Sequence, residues 1–225
     1  MTTLEAIKAR HSVRKYLDRP IEAEKTASLK EAIERINAES GLNAQLVLDE
    51  PRAFSGLFIT TYGQFSGVRN YIVLAAPKGK AWEEKVGYYG EELVLLAQTL
   101  GLNTCWVGLT YKKIPGAYTV RSGDIVHCVI SLGYGITPGI QHPQKPAENF
   151  YACDGTPPEW FRAGLEAALL APTAINQQKF KFILHPDNVV EARALFSLAG
   201  YTRVDLGIAK YHFEIGAGKD SFTWL

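Results

Sequence analysis

One pattern occurs twice along this chain and constrains its architecture more than any other: a helical segment, a short break, an Asn-x-Gln triplet and an apolar strand. It runs from Glu31 to Leu48 and returns from Gly164 to His185, so that Asn43-Ala44-Gln45 aligns with Asn176-Gln177-Gln178 at an offset of 133 residues. A weaker match equates two glycine-bounded helical segments, Gly90 to Gly101 and Gly207 to Gly218, at an offset of 117. Two matches in the same order predict two related halves, 1–150 and 151–225, packed as one compact unit. The seam falls in the Gly- and Pro-rich stretch from Gly133 to about Pro158.

The rest of the pattern alternates helices and strands. Thr2 and Glu5 can form a capping box, and that first helix must fade before Pro20, which leaves Arg10 to Arg14 at its end. Helices are expected at about Glu22 to Asn37 and Glu83 to Leu100, the latter closed by Gly101. Strands are expected at Gln45 to Leu48, Leu57 to Thr61, Tyr71 to Ala75, Thr104 to Val107 and Ile125 to Leu132. The fold class is therefore α+β, with an antiparallel-rich sheet flanked by helices.

Composition removes several function classes. Twenty-four basic and twenty-three acidic residues leave a net charge of +1 with no long run of either sign, so no broad field is available for nucleic acid or an anionic membrane. The apolar stretch from Leu93 to Leu102 is too short and too interrupted to span a bilayer, and no basic-then-apolar leader opens the chain. The three cysteines, Cys105, Cys128 and Cys153, lack the spacing of a zinc or redox motif, and the histidines share no ligand spacing, so no metal is expected. The expectation is a cytoplasmic protein with buried thiols.

Two segments carry chemistry. Arg10-His11-Ser12-Val13-Arg14 offers two guanidinium groups, a hydroxyl and an imidazole, suited to an anionic ligand. Ala171-Pro172-Thr173-Ala174-Ile175-Asn176-Gln177-Gln178 offers uncharged hydroxyl and carboxamide groups, suited to the edge of a planar heterocycle. A phosphorylated heteroaromatic cofactor would use both. Each segment has a plainer reading: the first as a polar helix end, the second as a turn in which Asn176 and Gln178 satisfy backbone groups. Neither a phosphate-binding G-x-x-x-x-G-K-[ST] nor a strand-to-helix G-x-G-x-x-G is present, which disfavours a Rossmann-type dinucleotide.

Together with Gly101-Leu102-Asn103-Thr104-Cys105-Trp106-Val107-Gly108 after a long apolar helix, these segments resemble the nitroreductase-like FMN-dependent flavoproteins. The late position of the Ala-Pro-x-x-x-Asn segment resembles the subgroup of nitroreductases in which one chain is arranged as a fused pseudo-dimer. The resemblance implies one FMN per chain, in the groove between the halves. Arg10 and Ser12 would meet its phosphate and ribityl end, with His11 contributing backbone. Arg14 would stand at the pyrimidine edge, where a cation favours the reduced ring. Val107 and Gly108 would approach the N5 edge, Pro172 would shape the lip, and Thr173 and Asn176, with Gln178 beside them, would face the ring or ribityl chain. Lys145 would be a further phosphate partner.

The implied activity is an FMN-dependent oxidoreductase passing hydride from NAD(P)H to a nitroaromatic, quinone or similar small-molecule acceptor in a ping-pong cycle, with no side chain required as acid or base. The alternatives are an FMN-binding or sensing protein in which Tyr62, Phe65 or another loop covers the ring, and a same-fold enzyme that consumes flavin or dehalogenates. A monomer acting as an internal pseudo-dimer is expected.

Overall fold

The computed structural model describes residues 1–55 and 64–225. The strand expected at Leu57 to Thr61 lies outside the described residues, as does Tyr62. Helix α1, Thr3–Ala9, opens with the expected capping box: the Glu5 N–H donates to Thr2 Oγ1 (3.2 Å) and the Thr2 N–H to Glu5 Oε2 (2.7 Å). Arg10 leaves the helical region at φ −74°, ψ 126°, and the chain continues extended. Helix α2, Ala23–Ser40, ends where Gly41 takes the left-handed conformation at φ 79° and its N–H reaches the Asn37 carbonyl.

Strands β1 (Asn43–Val47), β2 (Asn70–Pro77), β3 (Asn103–Val107) and β4 (Asp124–Gly133) form an antiparallel sheet in the order β1-β2-β4-β3, with α3 (Lys80–Thr99) joining β2 to β3. Strand β2 is buried on both faces from Tyr71 to Ala76, which explains its unbroken apolar run. A second sheet, ordered β5-β6-β7-β8, is built from β5 (Tyr151–Ala152), β6 (Phe180–Leu184), β7 (Val189–Ala194) and β8 (Thr223–Trp224), with α4 (Glu159–Leu169) and α5 (Thr202–Ala217) beside it. Its central pair is antiparallel and its edge pairs are parallel.

The principal core is shared. Ile72, Leu74 and Ile130 of the first sheet pack in one cluster with Phe180 and Phe182 of the second, Phe161 of α4 and Phe213 of α5. Each fully buried phenylalanine contributes about 2–3 kcal/mol. Helices α3 and α5 cross at the centre of this arrangement, and the crossing is close because two glycines permit it. A Cβ on Gly87 would collide with the Val204 carbonyl, and a Cβ on Gly207 with the Glu84 carbonyl. Packing therefore equates Gly87 with Gly207 at an offset of 120, one helical turn from the Gly90 match expected from spacing. Gly90 serves a different contact, admitting the Trp106 ring against α3.

Candidate active site

The chain after α1 runs alongside the free edge of β3. Ser12 bridges Thr104 in parallel register, and the Val13 N–H donates to the Thr104 carbonyl at 3.0 Å. This puts Ser12 and Arg14 next to the end of β3, where Val107, Gly108, Leu109 and Thr110 turn outward. Opposite them stand the lip Pro172 to Ile175 and the first turns of α5, and between the walls lies a cleft with a cavity volume of ≈ 210 Å³. Its floor is apolar, made by Trp106, Val204, Ile208 and the two thiols Cys105 and Cys128.

Six of the residues singled out from sequence line this cleft: Ser12, Arg14, Val107, Gly108, Pro172 and Thr173. Five are placed elsewhere. Arg10 turns into the protein, only 4% exposed, with its Nε 3.8 Å from Glu91 Oε1. Burial pulls its pKa below the ordinary arginine range against the raising effect of Glu91. Glu91 is itself fully buried and receives the Trp106 indole N–H at 2.8 Å and His212 Nε2 at 2.9 Å, while His212 Nδ1 lies 3.0 Å from the Ala167 carbonyl. Arg10 thus belongs to a buried ionic cluster one side chain behind the cleft. His11 backs onto Gly139 in the loop after β4, and burial with the neighbouring Arg10 charge lowers its pKa.

Asn176, Gln178 and Lys145 are also outside the cleft, for a shared reason. Asn176 Nδ2 and Gln178 Nε2 both donate to the Pro143 carbonyl, at 3.0 and 2.8 Å, and Gln178 Oε1 accepts the Lys145 N–H at 3.3 Å. The Lys145 ammonium donates to the Gln177 carbonyl at 2.8 Å. The first triplet binds in the same way: Asn43 Nδ2 and Gln45 Nε2 both donate to the Thr119 carbonyl, at 3.0 and 2.5 Å, and Gln45 Oε1 accepts the Thr119 N–H at 2.9 Å. In both triplets the glutamine amide also donates to the asparagine oxygen. Asn-x-Gln is therefore a clamp on a neighbouring loop peptide, the plainer of its two readings.

The clamp has a consequence for the lip. Ile175, Asn176 and Gln178 all hold positive φ, at 48°, 54° and 49°, a region disfavoured for side-chain-bearing residues. Thr173 Oγ1 accepts the Gln178 N–H at 3.0 Å, and Asp205 accepts the Ala174 N–H at 3.0 Å and the Gln177 amide at 2.6 Å. The strained turn is thereby held open toward the cleft from both sides.

Several cleft residues carried no signal in the sequence. Asp205, in the first turn of α5, is only 2% exposed, and burial pushes its carboxyl up to about 7. Tyr201, at φ 60°, lays its phenol against Gly108, where an added Cβ would lie 2.6 Å from its hydroxyl. Burial raises the pKa of Tyr201 and of both floor thiols. An Asp in a first helical turn reads as an ordinary partner for the helix dipole, and nothing in its spacing marks it as facing a cavity about 30 residues from the lip it holds.

Fold and cleft together define an α+β protein of the nitroreductase fold. The chain belongs to the family described as "Putative TM nitroreductase", which matches residues 2–217. It is similar to the crystal structure of a protein from Thermotoga maritima described as a "putative nitroreductase", at 23% identity and a TM-score of 0.70, covering 98% of this chain and 85% of that one. A Parabacteroides distasonis protein described as "Putative NADH dehydrogenase/NAD(P)H nitroreductase" aligns at 22% identity and TM-score 0.51, covering 66% and 95%. A Desulfovibrio desulfuricans nitroreductase solved in complex with FMN aligns at 22% identity and TM-score 0.50, covering 67% and 95%. No curated protein matches by sequence. Among the described residues no helix is long and apolar enough to cross a membrane.

Proposed function

We propose that the cleft holds FMN and that the chain is an FMN-dependent oxidoreductase using NAD(P)H and a nitroaromatic, quinone or similar acceptor. The observation that carries this reading is the meeting of Ser12 and Arg14 with Val107-Gly108 and the Pro172–Ile175 lip around one apolar slot. The donor set fits a flavin: one cation, hydroxyls from Ser12, Thr110 and Thr173, a strand-end backbone, and an apolar floor. The second arginine does not join it, since Arg10 is engaged by Glu91, so phosphate binding rests on fewer charges than the motif suggested.

FMN, when bound, supplies the hydride chemistry. The protein's own residues orient and tune. Arg14 places a cation at one edge of the slot, which favours charge developing there on reduction. Gly108 leaves room for the Tyr201 phenol, which narrows that end of the slot. Among the described residues, Phe65 lines the cleft together with Leu109 and Ile175, both exposed.

The reading includes two related halves in one chain, with the site built in cis and the monomer as the working unit. The reciprocal glycines of α3 and α5 and the paired loop clamps support it. The test is the absorbance spectrum of purified protein, with flavin counted per chain, followed by anaerobic NADPH and NADH. One FMN per chain that bleaches quickly supports an oxidoreductase. Bound FMN that resists both donors overturns the catalytic reading, and failure to bind FMN overturns the cofactor assignment.

A further inference from the structure

We propose that Asp205 is the catalytic acid of this cleft, giving its proton to the acceptor as the acceptor is reduced. The proposal rests on the reading of the cleft as a flavin site. Asp205 is the one carboxyl among the described residues that line the cleft, and it is set rigidly. Oδ1 accepts the Ala174 N–H at 3.0 Å, Oδ2 accepts the Gln177 amide at 2.6 Å, and the Gln177 amide is itself held by the Gly200 carbonyl at 2.9 Å. Each carboxyl oxygen retains a second lone-pair site, so one of them can carry a proton without losing either bond.

The other titratable groups on the cleft are unsuited to exchange a proton near neutrality. Cys128, on β4 and facing Asp205, and Cys105, on β3, are buried thiols shifted upward, and Tyr201, just ahead of α5, is a phenol shifted upward. Arg14, on the opposite wall, carries a guanidinium with N–H donors and no acceptor. On the outer side of α5, Arg203 and Lys210 turn away to Glu84 of α3, at 3.9 and 2.7 Å. Burial brings the Asp205 carboxyl to about 7, where both protonation states are populated at working pH, the condition an acid must meet to give and regain a proton in each cycle.

The step balances. A quinone that takes a hydride from the reduced flavin becomes a hydroquinone monoanion. The Asp205 O–H bond breaks, the second phenolic O–H bond forms, and the Asp205 carboxylate recovers its proton from water. Two electrons leave the flavin, and one hydride and one proton reach the acceptor.

The first measurement needs no cofactor: difference infrared spectroscopy of the flavin-free protein between pH 5 and pH 9, with Asp205→Asn as control. A protonated-carboxyl band that titrates near neutrality and is missing in the variant supports the proposal. The same titration without such a band overturns it. The second measurement separates the two half-reactions of the FMN-loaded protein, using a benzoquinone as acceptor. Asp205→Asn can replace only one of the two acceptor bonds to the lip, so the readout is the ratio of the half-reactions in the flavin-loaded variant: reoxidation is expected to fall about 100-fold more than reduction by NADPH, with the wild-type solvent isotope effect and neutral pH transition lost. Reoxidation at the wild-type rate and pH profile overturns the proposal. So does an equal loss in both half-reactions together with lost flavin, which marks Asp205 as a support for the lip only. Absence of bound FMN in the wild type is a different failure, that of the cofactor assignment, and the infrared titration distinguishes it.

Discussion

Gly87 and Gly207 occupy reciprocal positions in the crossing of α3 and α5: each lies against a backbone carbonyl of the other helix, Val204 for Gly87 and Glu84 for Gly207. The spacing from Glu84 to Gly87 equals that from Val204 to Gly207, so exchanging the helices reproduces the contact, as in the isologous interface of a two-fold dimer. The expected consequence is matched sensitivity. Gly87→Ala and Gly207→Ala should each cost about 1–3 kcal/mol or more, because the colliding atom is backbone and only a shift of the helices relieves it. The double variant should cost less than the sum, since one opened crossing accommodates both methyls. Urea unfolding of the three variants checks this; a Gly87→Ala protein as stable as the parent would show that the helices are not held this closely.

The two arginines of the N-terminal motif should separate cleanly. Arg14 lines the cleft, whereas Arg10 lies beside the buried carboxylate of Glu91. Arg14→Ala should weaken FMN binding by about tenfold or more, as expected for loss of a charge-assisted bond of roughly 1.5–3 kcal/mol, and should destabilise the fold less than Arg10→Ala does. Arg10→Ala should instead destabilise the fold by about 3–5 kcal/mol, the typical cost of leaving a buried charge without one of its partners. Fluorescence titration with FMN and thermal unfolding of both variants would decide; a reversed assignment would return Arg10 to the cofactor.

These two residues also mark how far sequence reasoning reached. Helices α1 to α3 and the strands of the first sheet were readable because burial imposes periodicity: β2 is apolar throughout, α2 ends at Gly41, and the capping box of α1 is spelled by Thr2 and Glu5; strands β5, β7 and β8 of the second sheet were not readable. The segment on β3 was readable as a site because Ser12 and Arg14 lie two apart in extended chain and so share a side. Arg10 begins the same motif at the C-cap of α1, where its side chain falls toward Glu91 of α3, 81 residues away. No local spacing encodes that partner. The Asn-x-Gln triplets were legible as a repeat, but carboxamides bind a loop peptide and a heterocycle edge with the same donors and acceptors, and only the positions of Thr119 and Pro143 separate the cases.

The clamps predict a second separation. Asn43→Ala and Asn176→Ala should behave alike, each costing about 1 kcal/mol through loss of one hydrogen bond to a loop carbonyl, with FMN affinity nearly unchanged. Proteolysis should then open the loops around Thr119 and Pro143 respectively. Chemical denaturation and FMN titration are the measurements, and a large loss of FMN from Asn176→Ala alone would place that side chain on the cofactor after all.

Burial of Asp205 should also appear in the pH dependence of stability. Its carboxyl is raised from an ordinary value near 3.8 to about 7 in the folded protein, so between these limits the folded state binds a proton that the unfolded state has released. The contribution is fully present below the unfolded pKa and is lost as pH rises through the folded pKa. A shift of this size corresponds to roughly 4 kcal/mol between pH 4 and pH 8. Asp205→Asn, which carries no titrating proton, should remove this component: the parent should gain stability relative to the variant as pH falls from 8 to 5. Urea unfolding of both proteins at the two pH values gives the difference directly, and a stability gap between them that does not change with pH would mean that the carboxyl is ionised in the cleft throughout.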